Sequence, residues 1–273
     1  MVMGRLKSTF ERLRANGQKA LIPYLMAGDP SLQDTEELVL ALEKAGADIV
    51  ELGVPFSDPI ADGPVIQKAA ERALSNGTSL KRILETVATL RKRTQIPLVL
   101  MAYYNTIQAF GELAFCRAAR EAGVDGLIVP DMPPEEATGL CAAAHEGPDI
   151  IFLVAPTSTP ARRALVARRS RGFIYYVSLT GITGAKLSAL SEIRANVVKI
   201  RRVTETPVAV GFGIATADDA ARVAAVADGV IVGSAIVRQI EQHRHDPHLP
   251  QRMERFIGVL KSAVSAERLT TSV

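Results

Sequence analysis

The chain has 273 residues, 48% hydrophobic and 22% charged, with a formal net charge of +3 and no tryptophan. That composition excludes a disordered chain, and the slight basic surplus, without aromatics interleaved among the arginines, excludes an evident nucleic-acid surface. No apolar run reaches the ~20 residues needed to cross a bilayer and no secretory apolar region stands near Met1, so a cytoplasmic protein is expected.

In chain order, Arg5 to Ala15 predicts an amphipathic helix, and Leu21 to Met26 a first strand that turns at Ala27-Gly28-Asp29-Pro30. Thr35 to Ala45 has helical spacing closed by Gly46. Asp48 to Leu52 is the second strand, with Val50 and Leu52 on one face and Ile49 and Glu51 on the other. Gly53 and Pro55 stop it, and a Gly/Pro/Asp-rich loop carries Asp58 and Asp62. Helices over Pro64 to Leu74 and Leu80 to Arg93 precede a third strand, Pro97 to Tyr103, with Asn105 at its exit. Phe110 to Ala122 predicts one helix, followed by strand four at Gly126 to Val129, the run Pro130-Asp131-Met132-Pro133-Pro134, and a helix from Glu135. Strand five is Asp149 to Val154, and a helix covers Ala161 to Arg169. Strand six is Phe173 to Val177, strand seven Pro207 to Val210 and strand eight Gly229 to Val232, with helices over Ala189 to Val203 and Ala217 to Ala227 between them. A short helix, a His-rich loop over Gln242 to Pro250 and a final helix follow.

Short Val/Ile/Leu-rich runs without long alternation are buried on both faces, which implies a parallel sheet with helical crossovers. Eight such units predict an α/β fold, a single (β/α)8 TIM barrel spanning residues 1–273, with an extra N-terminal helix and extra helices around strands two and eight. A doubly wound open sheet is the alternative; against it, no G-x-G-x-x-G stands at the first strand–helix turn. Arg91-Lys92-Arg93, Arg162-Arg163 and Arg168-Arg169 read as solvated helix faces, and Cys116 and Cys141 as small core residues.

Barrel enzymes build their sites from the loops at the C-terminal ends of the strands. Glu51, Asp62, Asn105, Asp131 and Tyr175 all fall there, and no unusual polar residue is expected at the opposite rim. A carboxylate inside a strand costs free energy unless it is paired or used, so Glu51 is either held by a neighbouring cation or amide, or catalytic. Gly181-Ile182-Thr183-Gly184, Gly211-Phe212-Gly213 and Gly233-Ser234 follow strands six, seven and eight. Glycine lets main-chain N–H groups approach an anion, and the helix opening at Ser234 adds its positive end, so a phosphate is expected there. His145, His243, His245 and His248 lack the spacing of metal ligands, and no metal is expected. No G-x-S-x-G elbow and no strand lysine is present, which leaves acid–base chemistry by carboxylates on a phosphorylated small molecule.

Glu51-Leu52-Gly53-Val54-Pro55-Phe56-Ser57-Asp58-Pro59 with Ala61-Asp62-Gly63-Pro64 resembles the signature of the tryptophan synthase α-subunit family. Pro23-Tyr24 with Ala27-Gly28-Asp29-Pro30, Val129-Pro130-Asp131, Tyr175 with Gly181 to Gly184, Gly211 to Ile214, and Gly233-Ser234-Ala235-Ile236 extend the resemblance over nearly the whole chain. It implies reversible retro-aldol cleavage of indole-3-glycerol phosphate to indole and glyceraldehyde 3-phosphate. Glu51 would be the general acid/base, Asp62 the acceptor of the indole N–H, and Thr183 a support for Asp62. Tyr24, Met101, Ile128, Leu153, Tyr175 and Phe212 would line the indole slot, and Gly184, Gly213, Gly233 and Ser234 would hold the phosphate. It further implies no cofactor in this chain, an αββα complex, and a β partner that carries pyridoxal phosphate and receives the indole. Loop 53–64 and the Asp131 region would face that partner, and loop 178–189 would act as a lid. Some members carry Arg-Ser where this chain has Leu179-Thr180, which removes a charged lid contact. The other readings are a different phosphate-binding barrel, such as a prenyltransferase or thiamine-phosphate type enzyme, and a barrel kept only as an allosteric partner. The lack of metal-holding acid clusters weighs against the first, and Glu51 with Asp62 against the second.

Overall fold

The computed structural model describes residues 4–178, 188–211 and 213–265. Helix α1 (Arg5–Ala15) precedes β1 (Ala20–Met26) and α2 (Leu32–Lys44); then come β2 (Val50–Gly53), α3 (Pro64–Ser75), α4 (Leu80–Leu90) and β3 (Leu98–Met101). Helices α5 (Tyr104–Phe110) and α6 (Glu112–Ala122) lead to β4 (Gly126–Ile128), α7 (Thr138–Ala143), β5 (Asp149–Ile151), β6 (Leu153–Val154) and α8 (Pro160–Arg169). The remainder is β7 (Ile174–Val177), α9 (Ser188–Arg201), β8 (Val208–Gly211), α10 (Ala217–Ala224), β9 (Gly229–Val232), α11 (Ser234–His243) and α12 (Leu249–Ser265).

All pairings in the sheet are parallel, in the order β5-β4-β3-β2-β1-β9-β8-β7-β6. The two ends of that order, β5 and β6, are neighbours in the chain, so the sheet closes through Phe152 into the expected (β/α)8 barrel. The predicted fifth strand is therefore two pieces. Phe152 sits at the break, where its N–H is donated to the Ser170 hydroxyl at 3.2 Å while its carbonyl accepts from Tyr175 at 3.1 Å. The predicted helix at 110–122 likewise starts at Glu112, because Gly111 (φ 89°) ends the preceding turn of α5 in a conformation that L side chains rarely adopt. Helix α2 begins a turn earlier than predicted, its first amides capped by Ser31, which accepts from the Asp34 N–H.

Strand side chains divide between two cores. Leu21, Leu25, Val50, Leu52, Leu98 and Leu100 face the surrounding helices. Ile22, Ile49, Val99, Ile128, Ile151, Tyr175, Ala209 and Ile231 point into the barrel, closed from below by Leu6, Phe10 and Leu13 of α1. Strand pairing sets Tyr24 beside Glu51, and Glu51 beside Val99, so this carboxylate points inward.

The N-terminal rim does hold unusual polar residues, contrary to expectation. Asp48, Asp125 and Asp228 stand before β2, β4 and β9. Each donates its N–H to, and through its carboxylate accepts the N–H of, one residue of a neighbouring strand: Leu21, Leu98 and Val208. Arg91, expected in solvent, is instead part of this rim, donating to Asp125 (2.5 Å) and to the carbonyls of Gly123 (2.8 Å) and Ile96 (2.6 Å).

Candidate active site

At the C-terminal end of the barrel a cavity of about 300 Å³ is lined by Tyr24, Glu51, Asp62, Gly63, Ile66, Met101, Tyr175, Gly213, Ile214, Ala215, Ile231, Gly233, Ser234 and Arg238. Glu51 and Asp62 are thus brought to one small-molecule-sized space from different elements, the strand β2 and the loop behind it. A larger hollow of about 470 Å³ lies at the other rim, but its charged groups are spent on one another: Arg14 with Glu205, and Arg201 and Lys19 with Asp228.

Glu51 is 1% exposed, and neither carboxylate oxygen has a hydrogen-bond partner among the described residues. Among the described residues, the structural explanation for a strand glutamate, a neighbouring cation or amide, finds no support. Burial pushes its carboxyl up to about 8, with the nearby Asp62 carboxylate adding to the rise. Glu51 therefore holds a proton at neutral pH and can both give it and take it back. Asp62 is half-buried. Burial raises its carboxyl too, but the Tyr103 hydroxyl, donating at 3.1 Å, opposes that rise. The two acids thus face one cavity in different environments.

Two tyrosines wall the space. The Tyr24 hydroxyl lies over Gly53 and the Tyr175 hydroxyl over Gly211, where a β-carbon would come within 2.0 Å and 2.5 Å of them. Glycine at both strand ends is what admits the rings. Burial, and then the two acids, push both phenols well above their ordinary range, so they remain neutral. With Met101, Ile66, Ile214 and Ile231 they give flat, mainly apolar walls.

At the far end Gly213, Gly233 and Ser234 come together. Helix α11 begins at Ser234 with no side-chain cap on its first amides, which leaves main-chain donors and the positive helix end toward the cavity. Ile128 belongs to the inner-barrel core, and Leu153 packs against that core; neither borders the cavity. Asn105 is exposed in the first turn of α5, and Asp131 accepts the Tyr104 N–H at 2.9 Å. Thr183, Gly184 and Phe212, and the lid segment with Leu179-Thr180, lie outside the described residues. Among the described residues no group of His, Cys, Asp or Glu could hold a metal ion.

Sequence reasoning missed Tyr103, Ile66, Ile214, Ala215, Ile231 and Arg238. Ile231 was within reach, because it alternates with Gly233 on the inward face of β9. So was Arg238, the one cation among the described residues bordering the cavity, one helical turn beyond Ser234. Tyr103 carried no such signal, since only folding brings it to Asp62.

Residues 10–265 match the family model described as tryptophan synthase alpha chain. The chain is 51% identical over 265 residues to the tryptophan synthase alpha chain of Geotalea uraniireducens (strain Rf4), covering 97% of this chain and 99% of that one. It is 50% identical over 263 residues to that of Geobacter sp. (strain M21), covering 96% and 98%. The crystal structure of tryptophan synthase subunit alpha from Legionella pneumophila superposes with a TM-score of 0.90 at 39% identity, covering 96% of this chain and 99% of that one. A nearly full-length match in sequence, joined to the same barrel, makes this chain a member of the tryptophan synthase alpha chain family.

Proposed function

We propose that this enzyme is a lyase that cleaves indole-3-glycerol phosphate reversibly to indole and glyceraldehyde 3-phosphate. The observation that carries this reading is Glu51: a buried carboxyl with no partner among the described residues, protonated at neutral pH, in the same cavity as a second acid of different environment. The indole ring would lie between Tyr24 and Tyr175, with Met101 along the slot, Ile128 and Leu153 behind it and Phe212 completing it. The phosphate would rest on the amides of Gly184, Gly213, Gly233 and Ser234, with Arg238 adding charge at the mouth.

Glu51 gives its proton to indole C3, and the ring nitrogen becomes positive. Asp62 accepts the N–H and stabilises that charge, with Thr183 holding its carboxylate. The Glu51 carboxylate then takes the proton from the hydroxyl on the carbon bonded to C3. The carbon–carbon bond breaks, its electron pair returns to the ring, and indole and the aldehyde leave with Glu51 protonated as at the start. Proton transfer is the whole of this chain's part, and it calls for no cofactor here.

The family relationship supports a β-chain partner, which would carry pyridoxal phosphate and use the indole, in an αββα complex. Loop 53–64 would face it: Ile60 in that loop is 86% exposed, beside Asp62 at the cavity mouth. Asp131 lies on the same rim, and loop 178–189 would close over the substrate. Incubation with indole-3-glycerol phosphate, with and without a β chain, tests the reading: indole is expected, and its absence in both mixtures would overturn it.

A further inference from the structure

Tyr103 stands just past β3, with its ring 4% exposed and stacked on Phe56 at a centroid separation of 5.2 Å and an interplanar angle of 27°. Its hydroxyl makes two bonds to consecutive residues of the loop between β2 and α3. It accepts the Ala61 N–H at 3.0 Å and donates to Asp62 Oδ2 at 3.1 Å. That loop is otherwise loosely held, with Ser57, Asp58, Ile60, Ala61 and Gly63 all exposed. Its other ties near Asp62 are local, from the Asp62 N–H to the Pro59 carbonyl and from Gln67 to the Asp62 carbonyl. One side chain on the barrel frame thus fixes both the main chain and the carboxylate of the loop.

We propose that Tyr103 is a positioning residue that aims the Asp62 carboxylate into the cavity and keeps it an acceptor, leaving the proton to Glu51. This rests on the role given to Asp62 above. Two acids facing one cavity resist ionising together, so a reaction that needs one proton donor and one anion needs something to tell them apart. Among the described residues, the groups that face Asp62 are Glu51 from β2, Tyr24 from β1, Tyr175 from β7 and Tyr103, with Arg238 of α11 bordering the same cavity and Asp131 bearing on Tyr103. Among the described residues only Tyr103 donates a side-chain hydrogen bond to Asp62, whereas no described residue donates to Glu51. A donated hydrogen bond favours the charged form, so among the described residues the asymmetry lies in the Tyr103 hydroxyl.

Tyr103→Phe removes the hydroxyl and keeps the stacked ring. In that variant the Asp62 carboxyl, followed by carbon-13 NMR, should titrate at higher pH than in the unmodified protein. The acid limb of kcat/KM should move up with it, and kcat should fall on the order of ten- to a hundredfold, the scale of one hydrogen bond to a charged group. KM should stay within about threefold. An Asp62 titration and an acid limb that stay where they were would overturn the proposal. So would a loss found in Tyr103→Leu and absent from Tyr103→Phe, which would make the ring a packing element alone. The NMR titration needs no turnover, so it reads Tyr103 even if indole-3-glycerol phosphate proved not to be the substrate.

Discussion

The two ends of this barrel treat buried acids in opposite ways. At the N-terminal rim Asp125 accepts from Arg5, Arg91 and the Leu98 N–H, and Asp48 from Lys261 and the Leu21 N–H. Every one of these carboxylates has found partners, and together they clamp neighbouring strands. At the C-terminal rim Glu51 is as deeply buried as any of them and has no partner among the described residues. An acid that is satisfied holds structure. An acid left unsatisfied keeps its proton and is ready to transfer it.

The strongest way to break this contrast is Glu51→Gln, which keeps shape and burial but removes the transferable proton. Indole formation should fall on the order of 10³-fold or more, the upper part of the range for general acid–base groups. Stability should respond in the opposite sense. The folded carboxyl titrates near 8 against an ordinary 4.5, so the unfolded state binds fewer protons across that window and wild-type stability falls as pH rises through it. The Gln variant escapes that loss. Its Tm at pH 9 should match or exceed that of the wild type, with the margin vanishing near pH 5; a lower Tm at pH 9 would refute the uncompensated burial of Glu51. Asp62→Ala should lower kcat on the order of 10²-fold in the indole assay, the scale for one electrostatic group at a transition state. An unchanged rate would remove Asp62 from the chemistry.

Asp125→Ala is the mirror experiment at the other rim. It leaves the Arg91 charge without its carboxylate, with only the Gly123 and Ile96 carbonyls still accepting from it, and strands the Leu98 N–H, so chemical denaturation should show a loss of about 3 kcal/mol or more. Turnover per folded molecule should stay within about twofold, because Asp125 is at the wrong end of the barrel to touch substrate. The smallest expected effect comes from Gly233→Ala. A β-carbon there meets only the Tyr24 side chain at 3.7 Å, ordinary contact, so the fold should tolerate it. It would crowd the amides proposed to hold phosphate and raise KM for the phosphorylated substrate by about tenfold with kcat nearly unchanged. A fall in kcat without a change in KM would move the phosphate elsewhere.

The alternation of Ile49-Val50-Glu51-Leu52 was enough to put Glu51 on one face with Ile49, because side-chain direction alternates along a strand, but strand pairing decided that this face turns into the barrel. The glycine-bearing segments behind strands seven and eight were legible for the same reason: what marks them, a missing side chain beside a helix start, is written locally. Tertiary structure alone decided that Glu51 would find no partner among the described residues, that Asp125 would find three, and that Tyr103 would reach across to Asp62. Hydrogen-bond partners and desolvation depend on which remote segments pack around a group, and no periodicity records that. The residue types that could do acid–base chemistry were therefore present in the chain itself, whereas the protonation state on which the role proposed for Glu51 depends arises only when the barrel closes around it.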